Sequence, residues 1–443
     1  MRRIINRLGL VALLLITSGC ATFTEQFSGV ERHLIGGRPE LALKTLEAKP
    51  GPQRDRVLYL LNRSSLQRMN GDYEASNASL EQSKALMQKL SAISVSETTT
   101  SLIINDATSS YVGAPHEQVM VHMMKAINYL QLGQRDSARV EILQMDVRLR
   151  ELAARAGAEQ AYSEDAFGRY LAGVIYEELG EESDAMISYR KAYESYRKQK
   201  KHFHVAVPDE LKSALLRMSL RMGLNNEHQR FRQEFSRREF STVAELRKQG
   251  SLIFLFGNGL GPKKQEKSIS VNDYQNGQLH RIALPYYRSR AALLGGIRIQ
   301  AGEQRVDGDL VDDIDVIATK TLDEQMPAIT ARALARAVAK NAMVRETRRQ
   351  EKKNDGSGLL GLLVNIATVA TERADTRSWV TLPSEIHMAR VNLPQGKYDI
   401  TVQFLGQRGG VVDSMVLPAI EIKAGKNQYQ YYHWVSPQKQ KRK

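Results

Sequence analysis

One segment of the chain, residues 166–199, reads AFGRYLAGVIYEELGEESDAMISYRKAYESYRKQ. Its apolar residues recur at intervals of three and four on both sides of Gly180, which predicts two helices joined by a tight turn. The small side chains that allow the two helices to approach closely are Gly173, Ala185 and Ala192. The tyrosines that fill the space between the helices are Tyr176 and Tyr189. This segment therefore predicts an antiparallel helix hairpin.

The hairpin resembles a tetratricopeptide repeat, because its small, aromatic and turn residues stand at that family's positions. Weaker copies surround it, at Gln118–Leu149 and around Gly37, Gly71 and Gly223, with Ser91–Pro115 as an insertion. Each repeat of this kind covers the apolar face of its neighbours. We therefore expect residues 20–247 to form a tetratricopeptide-like α-solenoid of about four or five hairpins.

The resemblance implies a concave groove lined by the first helix of each pair. Its positions correspond to Met120, Met123, Ile127, Leu130, Phe167, Tyr170, Val174, Glu177 and Glu178. Methionine adapts to irregular surfaces, so such a groove suits a peptide or helix of a protein partner. In the alternative interpretation these side chains pack against a neighbouring helix or against the chain's own second half.

From Ser251 onward the pattern changes to short β-rich runs between turn residues. The predicted strands are 251–256, 267–271, 280–287, 295–302, 311–319, 378–382, 386–393, 397–405, 411–422 and 427–435. In the run 393–402, which reads LPQGKYDITV, alternation places Tyr398, Ile400 and Val402 toward a core. The predicted fold is thus α + β with two domains, the second (251–443) a β-sandwich-like domain with a helical insertion at 323–373.

The insertion contains a basic segment, Ile329–Lys353, followed by an apolar one at 359–370. The candidate contacts to a membrane or a partner are Arg332, Arg336, Lys340, Arg345, Arg348 and Arg349. A basic helix joined to an apolar helix can lie on a membrane surface. A helical hairpin packed on the sandwich, with a solvated basic face, is the alternative.

The string ADTRSW at 374–379, with the Leu-Pro pair that follows it, resembles a poorly characterised family of bacterial lipoproteins. That family combines a lipobox, a repeat-containing helical half and a β-rich half, and the resemblance implies no activity. Arg377 and Trp379 are a candidate recognition patch by stacking or hydrogen bonding. They are equally consistent with a structural contact inside the sandwich.

Residues 1–20 read MRRIINRLGLVALLLITSGC, the layout of a secretory signal. The apolar run is shorter than the ~20 residues that span a bilayer. The ending TSGC resembles a bacterial lipobox, which implies removal of residues 1–19 and acylation of Cys20, for example with palmitate. Such lipoproteins are sorted by the residue that follows the acylated cysteine. Ala21, rather than Asp, at this position implies the outer membrane of a Gram-negative bacterium, with the protein facing the periplasm. An ordinary signal peptide with an incidental cysteine is the alternative.

The formal net charge is +14, and residues 251–443 hold 28 Lys and Arg against 19 Asp and Glu. An exported protein seldom meets nucleic acid, so this excess favours anionic lipid, cell-wall polymer or an acidic partner. The glycine-rich run GNGLGPKK at 257–264 lacks the phosphate-loop order, and no metal-ligand or nucleophile motif is present. No catalytic residue, metal or cofactor is predicted.

Together these features predict a non-enzymatic interaction scaffold in cell-envelope assembly or maintenance. Its expected partners are envelope proteins, bound in the groove, and the inner leaflet of the outer membrane, reached through the lipid on Cys20. Peptidoglycan binding or processing, and membrane remodelling by the insertion, are the alternative functions.

Overall fold

The computed structural model describes residues 23–435, except 97–108, 157–164, 204, 237–238, 274–277, 291, 293, 354–361 and 366–371. The predicted signal sequence and Cys20 lie outside these described residues, as does most of the predicted apolar helix at 359–370. The chain is α + β, because helices fill the first half up to Lys248 and strands begin at Gly250.

The first half is built of helices that pack in consecutive pairs. They are α1 (Phe23–Ile35) with α2 (Pro39–Ala48), α3 (Arg56–Met69) with α4 (Tyr73–Ser96), α5 (Pro115–Gln131) with α6 (Arg135–Ala156), α7 (Ala166–Leu179) with α8 (Glu182–Phe203), and α9 (Asp209–Arg221) with α10 (Asn225–Phe235). Each pair contacts the next, which makes one continuous array. A short helix, α11 (Val243–Lys248), leads to the strands.

The pair α7–α8 shows why these residues form a hairpin. Gly180 ends α7 in the left-handed conformation, with φ 76°, which a side chain would disfavour. A Cβ at Gly173 would lie 2.4 Å from the ring of Tyr189, so only glycine allows the two helices to approach this closely. Tyr189 also donates to Glu177 Oε2 at 2.6 Å. The turn and the helix crossing are therefore both set by local sequence.

The second half consists of strands and one long helix. The strands are β1 (Gly250–Asn258), β2 (Lys263–Asp273), β3 (Gln278–Arg288), β4 (Gly296–Ala301), β5 (Gln304–Asp307), β6 (Asp309–Asp313), β7 (Glu385–Leu393), β8 (Gly396–Leu405), β9 (Val411–Ile422) and β10 (Asn427–Trp434). The helix is α12 (Ile314–Lys353), between β6 and β7. Residues 362–365 are also helical.

The strands form two four-stranded sheets and a separate hairpin. The first sheet has the order β10-β1-β7-β6, and the second has the order β5-β4-β8-β9. Their facing sides share an apolar core that includes Phe254, Phe256, Ile297, Ile400 and Val402. Strands β2 and β3 form the hairpin, and α12 packs against β3. The two sheets are thus packed face to face.

Two predicted strands have a different structure. Residues 311–319 alternate like a strand, but β6 ends at Asp313, and α12 begins at Ile314 rather than at 329. Asp313 Oδ1 accepts the backbone N–H of Val316 at 3.0 Å, which stabilises the start of this helix. Residues 378–382 form no strand, because their apolar side chains pack against the helices of the first half.

The first sheet is covered on both faces. Every residue of β1 is buried. Leu252, Phe254 and Phe256 enter the core between the sheets, whereas Ile253 and Leu255 enter a core shared with the helix pairs. The sheet therefore lies between the second sheet and the helical array. Among the described residues, no helix has the length and apolar character that crossing a bilayer requires.

Candidate functional site

The nine predicted groove residues lie on the inner surface of the helix pairs, and this surface is occupied by the chain's own first sheet. The seven apolar residues on α5 and α7 are at most 4% exposed. They belong to one continuous apolar core with Ile253, Leu255, Tyr429 and Tyr431 of the sheet. The prediction of an open partner groove is corrected accordingly, since the alternative of packing against the second half describes the structure.

Glu178 at the end of α7 binds the sheet directly. Its Oε2 accepts the hydroxyl of Tyr429 at 2.6 Å, and the backbone N–H and side-chain amide of Asn427 lie 3.4 Å from its two oxygens. Arg135 of α6 forms an ion pair with the same carboxylate. A carboxylate that the resemblance assigned to partner recognition is therefore saturated by contacts within the chain.

Glu177 lies in a buried charge cluster with Arg217 of α9. The guanidinium donates Nε–H to Oε1 at 2.6 Å and a second N–H to Oε2 at 3.0 Å. Burial alone would raise the pKa of Glu177, but the charge and hydrogen bonds of Arg217 outweigh it and lower the pKa to about 2. Arg390 of β7 adds to this effect and lies 3.6 Å from Glu210 of α9. The cluster thus connects both halves electrostatically.

Arg68 of α3 provides another connection. Its guanidinium lies over the ring of Tyr431 on β10, 4.3 Å from the centroid, and the residue is 3% exposed. A buried cation stacked on an aromatic face contributes about 2 kcal/mol or more. The sequence signal for this arginine is its position, seven residues after the buried Leu61 on the same helix face. An inward-facing charge on such a helix indicates a buried partner, which sequence analysis overlooked.

Arg377 and Trp379 are buried, at 5% and 3% exposure. Trp379 donates its indole N–H to Ser65 Oγ at 2.9 Å and its backbone N–H to Glu117 Oε1 at 2.7 Å. Arg377 pairs with Asp55 and Asp375, both at 2.8 Å. The two predictions for these residues, an exposed recognition patch and a contact inside the sandwich, are both wrong, because their partners lie mainly on the helical half.

The six candidate arginines and lysines of the insertion divide into two groups. Arg336 is 3% exposed and pairs with the buried Glu372, and Lys340 donates to the other oxygen of Glu372 at 2.6 Å. These two are corrected from surface contacts to structural ones. Arg332, Arg345 and Arg349 are exposed, and Arg348 is half-buried. The prediction of a contact to a partner or membrane therefore remains for the exposed group.

A cleft of about 790 Å³ lies between α1 and α2. Its apolar lining includes Phe27, Val30, Leu41, Leu46, Pro50 and Tyr59. Three exposed cations, Arg32, Lys44 and Lys49, stand around it. The acid among its lining residues is Asp55, which is already paired with Arg377. The cleft therefore has the volume of a ligand pocket, an apolar lining and a positive rim.

Carboxylates are also buried where the halves meet. Asp312 of β6 is 4% exposed, and its burial, followed by the charge of Asp165 at the start of α7, raises its pKa well above the ordinary value. Within the described part of the chain, Asp312 Oδ2 has no hydrogen-bond partner. No group of three or more His, Cys, Asp or Glu side chains among the described residues is arranged to hold a metal ion.

Several solved structures are similar to about half of the chain. MamA from Desulfovibrio magneticus RS-1 is 16% identical, covers 47% of this chain and 87% of its own, and has a TM-score of 0.29. The apo form of RapI is 12% identical, with 52% and 58% covered and a TM-score of 0.35. A putative kinesin light chain with TPR-like repeats from Podosopora anserina is 17% identical, with 48% and 96% covered and a TM-score of 0.30. No protein-family model and no curated protein matches the sequence.

Proposed function

We propose that the protein is a non-enzymatic protein–protein interaction scaffold of the cell envelope. In this proposal Cys20 carries the lipid that anchors the chain in the outer membrane, facing the periplasm. The sequence of residues 1–20 supports the anchor through its signal layout and its lipobox-like ending. Several acyl chains on one cysteine give the stable attachment that a single chain does not.

The observation that carries the proposal is the cleft between α1 and α2. Because the sheet fills the inner surface of the helix pairs, a partner needs another concave surface. The cleft offers apolar side chains together with the cations Arg32, Lys44 and Lys49. Charge complementarity selects a segment of an envelope protein that carries both apolar and acidic side chains.

Peptidoglycan binding is not proposed. Its predicted recognition patch, Arg377 and Trp379, is not exposed, because both side chains are buried. Among the described residues that line the cleft, the aromatic side chains besides His33 are Phe27 and Tyr59, which are only 4% and 9% exposed. The apolar lining suits a peptide better than a polar glycan.

Photo-crosslinking in intact cells tests the proposal with the full chain. A photoreactive amino acid at Thr45, which lines the cleft, is expected to form adducts with an envelope protein. The same amino acid at Ser414, exposed on β9 far from α2 in sequence, serves as the matched control and is expected to form none of them. Identical adducts at both positions would contradict the proposal.

Charge reversal adds a second criterion. Lys44→Glu with Lys49→Glu changes two exposed side chains, so the thermal midpoint is expected to stay within about 2 °C. Loss of the Thr45 adduct in this variant supports an acidic partner. An unchanged protein adduct would show that the rim cations do not recognise it, and a phospholipid adduct in its place would indicate membrane contact instead.

A further inference from the structure

Helix α12 buries the charged Arg336 together with the apolar Ala333 and Val344, and it also exposes apolar side chains on its opposite side. Its inner side carries the buried Arg336, which pairs with Glu372. Its outer side carries exposed apolar residues, among them Leu334 and Val338 at 48% and 70% exposure. A surface helix normally turns its apolar stripe inward. An apolar stripe turned outward indicates a surface that another molecule covers.

The outer residues recur in a regular pattern. Ala328, Ala331, Ala335, Val338 and Ala342 are exposed and follow one another at intervals of three and four. Arg345 and Arg349 continue the same series and are also exposed. This is the spacing by which one helix packs along another, and its alanines permit a close approach of the two backbones.

We propose that α12 packs antiparallel against α12 of a second copy of this chain. With the two-fold axis between Arg336 and Ala337, Val338 meets the partner's Ala335 and Ala342 meets the partner's Ala331. Every outer position then faces an outer position of the other helix, as an isologous interface requires. The occupied part, Glu324 to Arg349, is about 38 Å long when each residue adds 1.5 Å.

Charge selects the antiparallel direction. In this register Arg349 faces the partner's Glu324, with the exposed Asp323 as the adjacent residue, and symmetry repeats the pair at the other end. In a parallel pair Arg345 and Arg349 would instead lie beside the same two arginines of the other chain. Like charges at that separation are repulsive, whereas opposite charges attract.

A second copy fits the stripe better than a membrane surface does. Binding of a helix to a membrane grows with the apolar area that it buries. Four of the five central stripe residues are alanine, which offers little area to lipid but allows tight contact with a second helix. Helix packing uses small residues productively, because it depends on shape and close contact.

Sedimentation of the full chain in a density-matched detergent solution tests self-association. We expect a dimer whose dissociation constant rises at least tenfold in Val338→Glu. The matched control is Val412→Glu, which alters a valine of β9 that is 61% exposed and is expected to leave the dimer unchanged. Both variants change exposed side chains, so circular dichroism is expected to show intact folding. A monomeric wild type, or equal effects of both variants, overturns the proposal.

Cysteine pairing tests the direction. In a Cys20→Ser background, Ala331→Cys and Ala342→Cys chains are oxidised separately and as a mixture. Antiparallel packing predicts disulfide-linked dimers in the mixture and little in either chain alone, whereas a parallel pair gives the reverse. Charge exchange completes the test, because Arg349→Glu is expected to weaken the dimer and added Glu324→Arg to restore it. Val338-dependent binding to anionic vesicles by a monomeric chain would instead assign the stripe to the membrane.

Discussion

Trp379 donates its backbone N–H to Glu117 Oε1 at 2.7 Å, which ties the segment before β7 to the first turn of α5. The other carboxylate oxygen accepts from Ala114 at 3.0 Å and from the hydroxyl of Tyr111. Burial raises the pKa of Glu117, and these hydrogen bonds oppose that effect. One carboxylate therefore caps a helix and holds a distant loop.

Trp379→Phe is expected to lower the free energy of unfolding by about 1–2 kcal/mol, because Ser65 loses its indole donor and the smaller phenyl ring fills less of the buried space. Trp379→Ala is expected to cost about 3–5 kcal/mol through the cavity it leaves. Urea unfolding of both variants checks these values. Retention on isolated peptidoglycan sacculi is expected to be the same for Trp379→Phe and wild type, and selective loss of retention would restore the recognition-patch interpretation.

Met123→Ala is expected to reduce the free energy of unfolding by about 2–5 kcal/mol, since this side chain is fully buried between α5 and the core that includes the sheet. Val147→Ala on α6 is the matched control, because Val147 is 47% exposed and its truncation is expected to change the value by less than about 0.5 kcal/mol. Chemical denaturation measures both. A neutral Met123→Ala would mean that the inner surface is open.

Glu177 makes stability depend on pH in a definite direction. Its folded pKa of about 2 lies below the ordinary value of 4.5, so its contribution is present above pH 4.5 and is lost as the pH falls toward 2. The difference between the folded and the ordinary pKa corresponds to about 3 kcal/mol of stability. Glu177→Gln leaves Arg217 buried without its anion, which is expected to cost about 3–5 kcal/mol at pH 7.

The measurement for Glu177 is urea unfolding between pH 7 and pH 3. The difference in unfolding free energy between wild type and Glu177→Gln, called the gap below, is expected to narrow as the pH falls below 4.5. Glu181→Gln is the control, because its ion pair with Arg139 is partly exposed and contributes about 1 kcal/mol or less. A gap that stays constant across this range would show that Glu177 is not ionised against Arg217.

Asp312 shifts stability in the opposite direction. Its folded pKa is raised, so ionisation destabilises the native state as the pH rises from 3.8 through the folded value. Asp312→Asn removes the ionisable group and keeps the shape, and we expect a higher thermal midpoint than wild type at pH 8 and a smaller difference at pH 4. Calorimetry at the two pH values checks this. A lower midpoint for the variant at pH 8 would mean that the carboxylate is paired.

Sequence alone accounts for the elements whose determinants are local. The hairpin of α7 and α8 follows from Gly173, Gly180 and Tyr189, whose roles depend on residues at most a few turns away. The alternation of Ile400 and Val402 likewise places both in the sandwich core. Such signals survive because the backbone conformation and the buried face are set within one element.

Long-range contacts explain what sequence analysis missed. The run at 378–382 has strand-like composition, but the backbone N–H of Trp379 binds a side chain that is 262 residues away in sequence. The early start of α12 depends on Asp313 acting as a cap rather than as a strand residue. The first sheet fills the inner surface of the helix pairs through contacts between residues far apart in sequence, such as Arg68 with Tyr431. No periodicity in the sequence reveals such pairs.

The central claim is that the chain's own sheet occupies the inner surface of the helix pairs. A double-mutant cycle on Glu178 and Tyr429 tests it most directly, because their 2.6 Å hydrogen bond joins α7 to β10. Unfolding free energies are measured for Glu178→Gln, Tyr429→Phe and the double variant. We expect a coupling energy of about 1–3 kcal/mol. Additivity within about 0.5 kcal/mol would contradict the claim, because the two side chains would then not meet in the folded protein.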